Sequence, residues 1–407
     1  MTKINLQLEP NESGHLVYYP GHFLKGTVAM TLDSVKKFRG FHVTIYGEAR
    51  AHWTETRSRT TGTGDNRRTE NYTVNFEGKE VYLNSRTYLF GQRGGPTFEI
   101  QPGVHRYEFA CQLPERLAYT AELRHGSIRY HVEAVLDIPW SFDKETKIPF
   151  TVVRYDDLNF FPELRIPLKY EEIKTFCCLF CKSGPFIMTV AMPYTGLAVG
   201  QTVNITIDYV NKSDVNVLHT RLKLKRTISY TSHTPEHKTR TDTEKMAEKM
   251  TQGVKGGDTN AIESSLDIPQ TMMCSNGRYC QVVSISYAVE IEAVVDGCST
   301  NPKIIFPVEI GSVPITFDNQ FTQPQVPIGQ ISMPQMPFEQ PSMPAAPIIH
   351  PSAPVPDEYI NDLPPTFEEA MNMPKPESTP FMQPQPSQSG NFGWNIGAPS
   401  APVNEKQ

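Results

Sequence analysis

Three cations stand at alternate positions in Arg221-Leu222-Lys223-Leu224-Lys225, and five of the seven cysteines fall in two groups, Cys177, Cys178 and Cys181, then Cys274 and Cys280. On a strand, period-two spacing turns the cations to one face and the leucines to the core. The result is a stripe suited to phosphate on a peptide or a lipid headgroup, each contact weakened by salt; an ordinary solvated strand face has the same composition. Thiolates suit zinc, yet adjacent cysteines rarely share one tetrahedral ion, and the usual two- or four-residue gap is not seen twice over. The cysteines therefore read as reduced thiols, with lipidation a lesser use, and no metal is expected. There is no G-x-S-x-G elbow, H-E-x-x-H pair or P-loop. The glycines of Phe90-Gly91-Gln92-Arg93-Gly94-Gly95 lead toward a strand where a phosphate site needs a helix. Neither an enzyme nor a cofactor is expected.

The elements that must position these residues are strands. Val28, Met30 and Leu32 alternate with Ala29 and Thr31, Phe41, Val43 and Ile45 with His42 and Thr44, and Tyr107, Phe109 and Cys111 with Glu108 and Ala110. Each reads as an antiparallel strand with one wet face. Turn residues separate such runs up to about residue 317, which points to an all-β sandwich architecture. The segment TEKMAEKM at 243–250 suits either a helical turn or an exposed loop, and the Arg-rich stretch 54–70 a mobile hairpin excursion. A net charge of −6 gives no field for a polyanion, so nucleic acid is not an expected partner. No run is long and apolar enough to span a membrane, and the polar start lacks a signal peptide's apolar stretch, so a cytoplasmic location is expected.

The chain also echoes itself. Gly26, Val28, Met30 and Leu32 find counterparts in Gly200, Val203, Ile205 and Ile207; Ser127-Ile128-Arg129-Tyr130-His131-Val132-Glu133 in Ser284-Ile285-Ser286-Tyr287-Ala288-Val289-Glu290; and Lys147, Ile148, Phe150 and Val152 in Lys303, Ile304, Phe306 and Val308. Three pairs in one order imply a sandwich built twice, each copy with its own core. YDDLNFFPELRIPL breaks the alternation near residues 155–168, which marks a short connector.

Tyr19-Pro20-Gly21 through Lys25-Gly26-Thr27-Val28, Phe38-Arg39-Gly40, Tyr46-Gly47-Glu48-Ala49 and Trp53-Thr54-Glu55 resemble the N-terminal domain of the α-arrestins, the arrestin-domain-containing proteins. PGVHRYEFACQLPERL and GSIRYHVEAVLDIPW look like its later strands. CCLFCKSGPF, VNITIDYVNKS, GRYCQVVSISYAVEIEAVV and FPVEIGSVPI look like the C-terminal domain. The resemblance implies two tandem arrestin-like, immunoglobulin-like β-sandwiches at 1–156 and 168–317, joined by a linker at 157–167, and a role in membrane-protein trafficking.

Of 35 prolines, 19 follow residue 320. Such a segment cannot bury enough apolar area to offset its ordering entropy, so 318–407 is expected to be a disordered, proline-rich tail presenting extended strings to partners. Pro351-Ser352-Ala353-Pro354 and Pro399-Ser400-Ala401-Pro402 are identical and resemble the peptide read by the ubiquitin-variant domain of the first endosomal sorting complex; duplication favours multivalent binding. Pro364-Pro365-Thr366-Phe367 resembles the family's P-P-x-Y motif for WW domains of HECT-type ubiquitin ligases, with Phe367 at the tyrosine position. Loss of the phenol hydroxyl should cost about 1 kcal/mol, leaving either a weakened ligand or an unused string. Asp318-Asn319-Gln320-Phe321 fits D-x-x-F, a form bound by clathrin-adaptor appendages. The expected protein is an adaptor recruited to plasma membrane and endosomes, linking cytoplasmic parts of membrane cargo to ligase and sorting machinery. The alternative is a scaffold or coat component that binds through its sandwiches alone.

Overall fold

The computed structural model describes residues 2–62, 67–178, 181–297, 300–317 and 394–396. Its first part is built of β1 (Thr2–Leu8), β2 (Val17–Tyr18), β3 (Phe23–Leu32), β4 (Lys36–Phe38), β5 (Gly40–Thr61), β6 (Arg68–Gly91), β7 (Phe98–Ile100), β8 (Gly103–Gln112), β9 (Ala121–Leu123), β10 (Gly126–Asp137) and β11 (Lys144–Val152). One sheet contains β1-β3-β8, the facing sheet runs β2-β11-β10-β5-β6 with β9 beside β10, and β4 pairs β7. Alternation does what period-two spacing requires: Leu24, Val28, Met30 and Leu32 of β3, and Tyr107, Phe109 and Cys111 of β8, are all buried.

One expectation changes on β5. Phe41, Val43 and Ile45 fill the core, but His42 and Thr44 on the supposedly wet face are buried too. The rings of His42 and Tyr88 lie 5.2 Å apart, and Arg86 Nε donates to Thr44 Oγ1 at 3.0 Å, so long side chains of β6 roof that face. The stretch after residue 54 is likewise no loose excursion. Glu55 to Thr61 of β5 pair residue by residue with Arg68 to Val74 of β6.

Two short 3-10 turns, Leu158–Phe160 and Pro162–Arg165, lead to the second sandwich. It comprises β12 (Leu168–Cys178), β13 (Cys181–Met192), β14 (Gly196–Ala198), β15 (Thr202–Asn211), β16 (Val217–Ser232), β17 (Lys238–Gln252), β18 (Thr259–Asp267), β19 (Val283–Val295) and β20 (Lys303–Gly311). Its sheets run β12-β13-β15-β18 and β14-β20-β19-β16-β17. The second order matches the first sandwich strand for strand, down to the parallel edge pairs β2 with β11 and β14 with β20. The echoed segments fall on β3 and β15, β10 and β19, and β11 and β20, each pair in equivalent places.

TEKMAEKM is neither helix nor loop. It lies within β17, paired with β16 on either side of a bulge at Met246, and Met246 and Ala247 pack on the core. The two cores are also less separate than expected, because the buried apolar residues from Leu6 to Ile310 form one continuous cluster through the contact between sandwiches. The sheets stay distinct: among the described residues the strand-type links outside them are two isolated bridges, Glu77 with Thr234 and, at the connector, Asp157 with Val313. A last strand, β21 (Trp394–Ile396), lies in the stretch expected to be wholly unstructured and adds antiparallel to the outer edge of β8.

Candidate docking surfaces

The stripe on β16 has the predicted orientation, with Leu222 and Leu224 buried and Arg221, Lys223 and Lys225 half-buried on the opposite face. What surrounds it was not visible in the residue order. Pairing of β16 with β19 sets Lys223 opposite Glu290 and Arg221 opposite Glu292. Lys223 Nζ lies 2.5 Å from Glu292 and 3.5 Å from Glu290, Lys225 Nζ 2.5 Å from Glu290, and Arg221 3.9 Å from Glu292. Burial alone would raise Glu292, but the Lys223 ammonium and the Asn301 amide outweigh it and hold the carboxyl below its usual range. The face is thus a lattice of both signs. An incoming anion must compete with two resident carboxylates for Lys223 and with one for Lys225, and Arg221 has the most distant partner.

The corresponding sheet of the first sandwich carries a similar lattice, which sequence reasoning missed. Glu48 accepts from Tyr46 Oη at 2.8 Å, pairs with Lys79 at 3.0 Å and is also held by Arg50. Lys147 pairs with Glu133 at 3.0 Å across β10 and β11. Tyr46, Glu48 and Arg50 alternate along β5, but the lysines that complete the lattice, Lys79 and Lys147, come from neighbouring strands, and no local motif announces those pairs.

The seam between the sandwiches is a continuous polar and aromatic contact. Tyr119 Oη donates to Cys274 O at 2.7 Å, the Gln281 amide donates to Glu80 Oε2 at 2.8 Å, and the Arg154 guanidinium lies 3.6 Å from the centre of the Tyr279 ring. Lys238 Nζ reaches Glu55 at 2.6 Å, and Arg57 pairs with Glu236. At Gly78 a Cβ would sit 1.9 Å from Thr231 O, so only glycine lets the backbones approach so closely.

Cys274 and Cys280 lie in this region as free thiols; burial pushes Cys274 up to about 12 and raises Cys280. Such thiols are poor nucleophiles and metal ligands. Among the described residues no group of three His, Cys, Asp or Glu side chains could hold a metal ion. The side chains of Cys177, Cys178 and Cys181 lie outside the described residues, as do both P-S-A-P strings, Pro364, Pro365 and Phe367, and Asp318-Asn319-Gln320-Phe321. No described helix is long and apolar enough to cross a membrane.

At the edge of the first sandwich, β21 shows how that body receives an extended segment. Trp394, Asn395 and Ile396 pair with Cys111, Ala110 and Phe109. The indole Nε1 donates to Ser85 Oγ at 2.8 Å, and its ring centre lies 6.2 Å from that of Phe109.

Two sandwiches of one topology, locked along a seam and presenting charged sheet faces and a strand-accepting edge, define an arrestin-type pair. Residues 6–159 match the family model described as arrestin (or S-antigen), N-terminal domain, and residues 182–315 the corresponding C-terminal domain. The chain belongs to the arrestin family, among the arrestin domain-containing proteins. It is 28% identical over 310 residues to arrestin domain-containing protein 17 of Caenorhabditis elegans, covering 73% of this chain and 68% of that protein. To arrestin domain-containing protein 1 of Rattus norvegicus it is 24% identical over 305 residues, covering 74% and 64% respectively. To arrestin domain-containing protein 4 of Mus musculus it is 28% identical over 238 residues, covering 57% and 55%. The matched part therefore spans about two thirds of the first two relatives and little more than half of the third.

Proposed function

We propose that the chain is a cytoplasmic adaptor, recruited to plasma membrane and endosomes. Its paired sandwiches hold the cytoplasmic segment of a membrane protein, and its proline-rich strings pass that cargo to ubiquitin-ligase and endosomal sorting machinery. Proteins of the arrestin family are generally non-enzymatic trafficking adaptors. The observation that carries the reading is the duplicated body itself, in which the same strand order occurs twice and the copies are fastened together. Such a body offers broad, rigid faces to a partner and leaves delivery to short peptides outside it. The stripe of Arg221, Lys223 and Lys225 serves in this reading as a phosphate or lipid contact, entered at Arg221, whose carboxylate partner lies farthest away.

The test is a pull-down from cells of the full chain and of a variant with both strings, 351–354 and 399–402, scrambled. Loss of the sorting-complex subunit from the variant is the expected result, and equal recovery would remove that link. Phe367 in place of tyrosine favours the second reading, a scaffold that binds through its sandwiches without ligase recruitment. Proximity labelling of the full chain against a Pro364→Ala/Pro365→Ala variant separates the two: an unchanged set of ligases supports the scaffold.

A further inference from the structure

One end of the first sandwich carries two large aromatic side chains that touch almost nothing. Residues 138–143 join β10 to β11, and there Trp140 is 102% exposed and Phe142 96%. Single exposed apolar residues are ordinary, but two at one hairpin apex form a patch. The apex is also held. The Ser141 amide donates to Ile138 O at 3.4 Å, and the Ile138 amide donates to Asp143 Oδ1 at 3.2 Å. Trp140 itself is the one non-glycine residue with positive φ, 60°, among the described residues. A bulky side chain in that backbone region is unfavourable unless its surroundings impose it.

Two of the carboxylates around the apex are paired within the chain. Asp137 is paired with Arg39 at 2.6 Å and Glu99 with Lys37 at 3.1 Å, while Asp143 accepts from the Ile138 amide and keeps its negative charge. Lys144 donates to Thr2 O at 2.7 Å, and Thr2 is the pairing partner of Leu32, from which the next turn departs. That turn brings exposed Val35 and Lys36 to the same end, with Lys36 near Asp33 of its own turn. Lys3 and Lys144 make no ion pair among the described residues.

We propose that this end is a membrane contact, in which Trp140 and Phe142 enter the interfacial layer of a bilayer while Lys3, Lys36 and Lys144 meet the headgroups. A projecting apex suits a soft, planar acceptor, whereas a protein partner would need a socket of matching depth. Trp favours the boundary between headgroup and hydrocarbon, Phe adds apolar area, and lysines at that level gain from anionic lipid. The stripe on β16 lacks this combination, because its lysines already hold Glu290 and Glu292. The contact requires neither cargo nor tail strings, so its failure would leave the adaptor reading untouched.

The experiment is flotation of the full chain with phosphatidylcholine vesicles, alone and mixed with phosphatidylserine, followed also by tryptophan emission. The comparison is a Trp140→Ser/Phe142→Ser variant, whose replaced side chains pack against nothing and whose thermal midpoint should equal that of the parent. Removing two inserting aromatics should lower vesicle partition roughly tenfold or more. Wild-type emission should shift to the blue on both vesicles. The extra binding to phosphatidylserine should vanish at high salt while the aromatic-dependent part remains. Equal flotation of the two proteins would overturn the proposal, as would unshifted wild-type emission, or capture of the apex by a soluble protein domain without any vesicle binding.

Discussion

His42 shows how a residue read as solvent-facing acquires a chemical consequence. Burial, then the neighbouring Arg86 guanidinium, depress its imidazole from 6.5 to about 4, against a partial pull from Glu133, Asp143 and Asp137. The unfolded chain therefore binds a proton that the folded chain refuses between those values. Stability from this group is complete above pH 6.5, declines as pH falls toward 4, and is flat below, a swing on the order of 3 kcal/mol. Urea midpoints of His42→Gln should fall less than those of the parent between pH 7 and 4.5; parallel curves would mean carboxylates alone set the slope. Glu290 is the matching case on the second sandwich, a buried carboxylate between Lys223 and Lys225. Glu290→Ala should cost about 2 kcal/mol by leaving half-buried ammoniums short of a counter-charge, and adding Lys225→Met should restore part of it. Purely additive losses in urea unfolding would show that the ion pairs are not coupled.

Elements were legible where their pattern is local and hidden where it is not. β3 and β8 follow from alternation that leaves no other period. β17 was misread because Met246, Ala247 and Met250 fall at helical spacing, whereas pairing with β16 decides the outcome; tertiary contact overrides local preference. β21 is harder still. Trp394-Asn395-Ile396 is too short for any periodicity, and only the waiting edge of β8 and the Ser85 hydroxyl make it a strand. Its hold should depend on the indole, since three residues contribute few backbone bonds. Trp394→Ala is expected to raise hydrogen exchange by about tenfold at those amides of Phe109, Ala110 and Cys111 on β8 that face β21, while the alternate amides bonded to β3 keep their protection. If their exchange stays unchanged, the backbone pairing holds β21 without the ring.

For the whole molecule, the duplication could be read from three echoed segments, but the fastening of the copies could not. The seam depends on where Glu77, Gly78 and Thr231 to Thr234 meet, and nothing in either segment alone predicts the other. There the His233 amide donates to Glu77 O at 2.8 Å and the Glu77 amide to Thr234 O at 2.9 Å, while the missing side chain of Gly78 admits Thr231 O. A methyl at that position cannot be absorbed by a rotamer change, because the atom it meets is backbone. Gly78→Ala must therefore push the two chains apart and loosen the bridge beside it, at a cost of at least about 2 kcal/mol. Both sheet pairs are complete without that bridge, so the loss should fall on the coupling between the sandwiches. Calorimetry should turn one cooperative transition of the parent into two in the variant, and the Glu77 and Thr234 amides should exchange faster while β3 and β15 keep their protection. A single transition at an unchanged midpoint would place the coupling elsewhere, with the contacts of Tyr119 and Arg154 next to be tested.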